Sequence, residues 1–102
     1  MAGSILCHRD GAVATVSIAN PGKLNAVDLG MWGQLHEAML SLAADDDVRC
    51  IVIRGDSDDA FAAGGDLEEF LTARNDVEKA MHYHACVGRA LRAIADCPQP
   101  TI

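Results

Sequence analysis

Four consecutive apolar residues, Cys50-Ile51-Val52-Ile53, set the tightest limit on what this chain can fold into. A strand with one face in water alternates apolar and polar residues. An unbroken run of this length instead suits a strand covered on both faces, as in a parallel sheet flanked by helices. The segments before it agree. Ile5 to Arg9 and Ala12 to Ala19 flank Asp10-Gly11, a pair suited to a turn needing positive φ, so a β-hairpin is expected there. In its second arm Ala14, Val16 and Ile18 alternate with Thr15 and Ser17, the pattern of a half-buried strand, and Asn20-Pro21-Gly22 breaks it.

Two helices complete the pattern. Asp28 is a suitable cap for the first, in which Leu29, Trp32, Leu35, Met39 and Leu42 recur at helical spacing. Gly30 and Gly33 each weaken it by about 1 kcal/mol relative to alanine, so packing must hold it. Asp45-Asp46-Asp47 ends it as a solvated acidic turn. After a polar loop at Gly55 to Asp59 and a short helix beginning near Asp66, a longer helix is expected from Asp76 to Ala95. Its apolar face is predicted to carry Val77, Ala80, Met81, His84, Val87, Leu91 and Ile94. Pro98 and Pro100 stop it, and Thr101-Ile102 opens a further strand with nothing left to pair against. The order strand, helix, strand, helix gives an α/β domain with parallel pairing. Residues 1–102 are expected to be the N-terminal part of such a domain.

Composition narrows the function. Half of the 102 residues are hydrophobic, which excludes a disordered tail. A formal net charge of −7 argues against nucleic acid or an anionic membrane surface as partner. No apolar run is long enough to span a bilayer, Met1 to Asp10 lacks the features of a signal peptide, and cytoplasmic residence is expected. Cys7, Cys50, Cys86 and Cys97 are irregularly spaced with no CxxC pair, so they are expected to be small buried residues, neither disulfides nor zinc ligands. His82 and His84 are two apart and diverge on a helix, poor geometry for a shared metal. His84 is expected to be a core or pocket residue, and His8 and His36 to lie on the surface. Trp32 and Met39 are read as packing residues.

The stretch most suited to chemistry is Phe61-Ala62-Ala63-Gly64-Gly65-Asp66-Leu67-Glu68-Glu69-Phe70. Two glycines ahead of a helix let the backbone approach a ligand closely. Asp66 with Glu69 three residues on has the form of a capping box. Backbone N–H groups at such a start are unpaired and suit a developing oxyanion. On the residues alone, an ordinary loop-to-helix joint is the more frequent explanation of such a glycine pair.

FAAGGD at 61–66 resembles the F-x-A-G-x-D element of the crotonase family, the enoyl-CoA hydratase/isomerase enzymes, and follows the strand VRCIVIRG at 48–55 as it does there. Asn20-Pro21-Gly22-Lys23-Leu24-Asn25-Ala26 is similar to that family's N-x-P-x-x-x-N-A-L loop, and ADDDVR and CPQPTI fall in family order. The resemblance covers nearly the whole chain, and the two motifs together are specific although neither is alone. It implies a crotonase-like spiral of ββα units and an acyl-CoA substrate, with coenzyme A entering as part of that substrate and no separate cofactor. It implies that the Gly65 N–H is one of two oxyanion-hole donors to the thioester carbonyl. Ala63 would offer its carbonyl to the adenine, Lys23, Leu24 and Ala26 would line the other side of the CoA site with Gly64 nearby, and Asp66 would cap the helix. Glu68 departs from the lysine many hydratases carry there, which puts a phosphate contact at this position in doubt. The second oxyanion donor and the catalytic carboxylates are expected beyond Ile102, and family members are commonly trimers or dimers of trimers. Hydration of a 2-enoyl-CoA is the reaction expected first. Isomerisation and thioester hydrolysis are alternatives within the family, and outside it stand a non-catalytic CoA-binding module and an acidic interaction domain.

Overall fold

The computed structural model describes residues 3–70 and 76–102 of the chain. Strand β1 (Ser4–Asp10) pairs antiparallel with β2 (Val13–Ala19) in a register that sets Asp10 opposite Val13. The turn is therefore Gly11-Ala12, one residue beyond the expected Asp10-Gly11. Gly11, at φ 62°, takes the first central position, where glycine accommodates the hairpin twist. β2 then runs parallel to β3 (Cys50–Gly55), with Val13 opposite Cys50, and helix α1 (Leu29–Ala43) lies between them in the chain. The sheet order is β1-β2-β3.

The last residues extend this sheet. Ile51 and Ile53 donate to the carbonyls of Pro100 and Ile102, each at 2.9 Å, and Thr101 bridges Ile51 in parallel. The expected opening strand is present, and the expectation that it lacks a partner is corrected. Helix α3 (Val77–Ala95) returns the chain to the free edge of β3, whose N–H groups are there to be satisfied.

The core follows from the two periodicities. Ala14, Val16 and Ile18 of β2 are buried while Thr15 and Ser17 are half-buried, as the alternation requires. Leu35, Met39 and Leu42 of α1, Val48, Ile51, and Ala90 and Ala93 of α3 close around Ala14 and Val16. Burying a leucine- or methionine-sized side chain contributes about 1.5–3 kcal/mol, enough to override the weak propensity at Gly30 and Gly33. Full burial of the apolar run in β3 holds at Ile51; Cys50, Val52 and Ile53 are half-buried. Both helices in the cluster pack on the Ile51 side, so the expected cover on the second face is partial.

Helix α1 is capped as expected. Asp28 Oδ1 accepts from the Met31 N–H at 2.9 Å, and its Oδ2 accepts from Gly3 N–H at 3.0 Å. α3 is capped by Asp76, which accepts from Lys79 N–H at 2.7 Å. The expected apolar face of α3 is corrected. Its buried residues are Tyr83, Ala90 and Ala93, while Val77, Met81, His84 and Leu91 are exposed. Ala90 and Ala93 of α3 pack in one cluster with Leu35, Met39 and Leu42 of α1, and the larger apolar side chains Val77, Met81 and Leu91 lie outside it. His84 is thus not a core residue; its ring meets Tyr83 edge-on at 6.2 Å.

The cysteines are corrected too. Cys7 is exposed, the other three are half-buried, and all are free. Cys7 lies on β1, whose residues from Leu6 to Asp10 are exposed because it forms the edge of the sheet. His8 is exposed as expected, whereas His36 is half-buried beside Leu40 and Arg89. No described helix is long and apolar enough to cross a membrane.

Candidate functional site

The two motif segments fold against each other. The loop at 20–28 follows β2, and its turn is tight: Lys23 and Asn25 both donate to the Asn20 carbonyl, at 3.1 and 3.4 Å, and Ala26 donates to Lys23 at 3.0 Å. Leu24 (φ 51°) and Asn25 (φ 58°) are consecutive left-handed residues. Asparagine tolerates that conformation, leucine resists it, and such strain persists only where the surroundings fix it. The surroundings here are side-chain hydrogen bonds. Asn25 Oδ1 accepts from Asn20 N–H at 3.1 Å, and Asn20 Nδ2 donates to the Ala26 carbonyl at 2.7 Å. Asn25 Nδ2 reaches across to the Ala60 carbonyl at 2.9 Å and to Ser57 Oγ at 3.3 Å.

The second segment leaves β3 at Gly55. A Cβ on Gly55 would stand 2.0 Å from the Ala60 carbonyl oxygen, so only glycine lets the loop fold back this closely. Phe61, Ala63 and Gly64 are exposed and Ala62 and Gly65 half-buried; the turn needs Gly64 at φ 89°. Val27 N–H then donates to the Gly64 carbonyl at 2.8 Å, and Asp66 N–H donates to the Val27 carbonyl at 3.0 Å, an isolated parallel bridge between Val27 and Gly65.

That bridge fixes the direction of Gly65. In a parallel pair the two bonds to Val27 come from the residues on either side of its opposite number, so the N–H and C=O of Gly65 itself point away from Val27. Among the described residues the Gly65 N–H has no acceptor. Gly64 lines an apolar cavity of about 450 Å³ with Ile18, Val27, Trp32, Ile53 and Ala62. Leu24, 59% exposed, lines a separate one of about 320 Å³ beside Asn20, Asp56 and Asp59.

Charge binds the segments further. Lys23 Nζ lies 2.9 Å from Asp66 Oδ2 and 3.2 Å from Glu68 Oε2. The Asp66 carboxylate, followed by that of Glu68, pushes the Lys23 ammonium above its usual range. The Lys23 hydrogen bond in turn holds the Asp66 carboxyl below the usual carboxylate range. The departure at Glu68 thus has a structural partner within the chain.

The expected capping box at Asp66 is corrected. Asp66 Oδ1 accepts from Glu68 N–H at 3.0 Å, but Glu69 does not reach back to the Asp66 N–H, which Val27 already satisfies. Glu69, in the short helix α2 (Leu67–Phe70), instead accepts from Leu29 N–H, at 2.8 and 3.0 Å through its two oxygens. It caps α1. Burial pushes the Glu69 carboxyl up, against the Leu29 hydrogen bond.

Of the site residues read from the sequence, Gly64, Gly65, Asp66, Lys23 and Ala26 therefore meet in one joint, with Leu24 and Ala63 exposed beside it. Asn25 and Val27, which position this joint, were not singled out. Asn25 stood in the quoted loop motif, and both had a signal in the spacing: residues 23, 25 and 27 each hold one point of the second segment.

Comparison with known proteins places this joint in a family. The enoyl-CoA hydratase/isomerase family model matches residues 13–102. An enoyl-CoA hydratase/carnithine racemase of Magnetospirillum magneticum superposes on 95% of the chain with a TM-score of 0.92 and 40% identity, over 36% of its own length. A 4-chlorobenzoyl coenzyme A dehalogenase from Arthrobacter is 34% identical over 93% of the chain and 34% of its own length. A mitochondrial 3-hydroxyisobutyryl-CoA hydrolase from Bos taurus is 31% identical over 78% of the chain and 21% of its own length. The chain belongs to the enoyl-CoA hydratase/isomerase family, and its fold is the crotonase-like α/β fold expected from the sequence. It spans about a third of the length of these relatives, or less.

Proposed function

We infer that this chain carries the thioester-binding joint of an acyl-CoA enzyme, with hydration of a 2-enoyl-CoA as its reaction. The observation that carries the reading is the orientation of the Gly65 N–H, turned from Val27 by the bridge and without an acceptor among the described residues. When a nucleophile adds to the β-carbon of an enoyl thioester, negative charge develops on the carbonyl oxygen. A fixed N–H aimed at that oxygen lowers the barrier without reorganising, and one such donor contributes about 10²–10³ in rate. Isomerisation and thioester hydrolysis also build charge on that oxygen, which suits the range of names among the relatives, isomerase, hydrolase and dehalogenase.

Coenzyme A would lie along the exposed ledge of Leu24, Ala63 and Gly64, with the adenine at the Ala63 carbonyl. Lys23, already paired with Asp66 and Glu68, serves here to hold the two segments together.

The test is made on the full-length protein. Gly65→Pro has no N–H to give and should lose about 10² or more in kcat/KM on an enoyl-CoA. Gly65→Ala keeps the N–H and serves as the folding control. A folded Gly65→Pro with near-wild-type kcat/KM overturns the assignment, as does a wild-type protein that shows no acyl-CoA binding by calorimetry at millimolar ligand.

A further inference from the structure

The geometry points to Asn25 as a positioning residue for the oxyanion donor, an inference that rests on the function proposed above. The segment bearing Gly65 is held at both ends by one loop. At its far end Val27 grips Gly64 and Asp66 through the backbone. At its near end the only side chain that reaches the Ala60 carbonyl, among the described residues, is Asn25, through Nδ2 at 2.9 Å. The same carbonyl lies so close to Gly55 that even a Cβ there has no room. Ala60 is thus clamped, and only Phe61, Ala62 and Ala63 separate it from the Gly64-Gly65 turn.

Asn25 is suited to this by more than reach. It is 4% exposed, and Oδ1 and Nδ2 are both engaged, so its amide is fixed in orientation. Its own left-handed backbone turns the chain so that Val27, two residues on, meets Gly65. One residue therefore sets the near end through its side chain and the far end through its backbone. An oxyanion donor displaced by even a fraction of an ångström loses more in the transition state than in the ground state, because the charge that it meets develops only in the transition state. The signature of such a role is a fall in kcat at nearly constant KM.

Two substitutions in the full-length protein test this. Asn25→Asp keeps the acceptor for Asn20 N–H and tolerates positive φ, but turns a carboxylate toward the Ala60 carbonyl. Gly55→Ala leaves Asn25 intact and displaces the same carbonyl by steric contact. Both are expected to lower kcat on a 2-enoyl-CoA about tenfold or more, with KM within about threefold of wild type, after correction for the folded fraction by circular dichroism. Asn25→Gly, which keeps the backbone conformation and loses every side-chain bond, should do the same. If Asn25→Asp loses melting temperature while kcat per folded enzyme stays within twofold of wild type, Asn25 is structural and the inference is overturned. A raised KM at constant kcat overturns it as well. Wild-type turnover measured alongside separates the two readings: no binding or turnover by the wild type removes the proposed function, whereas wild-type turnover with unaffected variants removes only the role of Asn25.

Discussion

Gly64 and Gly65 are neighbours with different reasons for being glycine. Gly64 is held at φ 89°, where a Cβ meets no neighbouring atom but strains its own backbone. Gly64→Ala is therefore expected to cost about 1–2 kcal/mol, read as a lowered melting temperature, while Gly65→Ala, outside the left-handed region, carries no such backbone penalty. The glycine pair was legible in the sequence. Which member needs the positive φ was not, because that is decided by the bridge to Val27 in a loop 38 positions earlier. Asn25 was visible as part of the loop motif, but its role was not, because its partners Ser57 and Ala60 lie more than thirty residues away. Lys23 and Asp66 give a pH test. Asp66 is held below the ordinary carboxylate range, so its pairing stabilises the fold above that range and is lost as the pH falls through the depressed value. The gap in melting temperature between wild type and Lys23→Gln should be open at neutral pH and close on acidification; a gap that does not change with pH would refute the pairing.

Local pattern served well where an element carries its own instructions. The hairpin, the Asp28 cap of α1 and the Asp76 cap of α3 are set by residues within a few positions of one another; the Asp28 cap forms as read, and the hairpin forms with its turn one residue further on. It failed where one element is finished by another. Glu69 sits three residues after Asp66, the spacing of a capping box, yet its carboxylate closes the first turn of α1. Glu69→Ala should accordingly destabilise by about 1 kcal/mol. Hydrogen exchange locates the loss: the Leu29 amide should lose protection, and that effect would be missing if Glu69 capped only its own helix. The face of α3 failed for a related reason. Periodicity identifies an apolar stripe, but the side that docks was chosen by how closely Ala90 and Ala93 let two helices approach.

At the scale of the whole molecule, apolar surface lies open to solvent. Val77 is 77% exposed, Met81 68% and Leu91 52%, and Leu91 and Ile94 border the cavity that also reaches Gly64. The 102-residue chain made by itself is expected to bind a dye that fluoresces in apolar surroundings, and Met81→Lys with Leu91→Lys should reduce that signal without altering the hairpin. The bridge between Val27 and Gly65 has a different consequence, one of parity. Successive residues of an extended segment present their N–H groups to alternate sides. Sliding the grip itself by one position would turn the Gly65 N–H inward and present the next residue in its place. The proposed chemistry at this joint thus depends on whether a count is odd or even, and a one-step slip, with no side chain lost, would silence it.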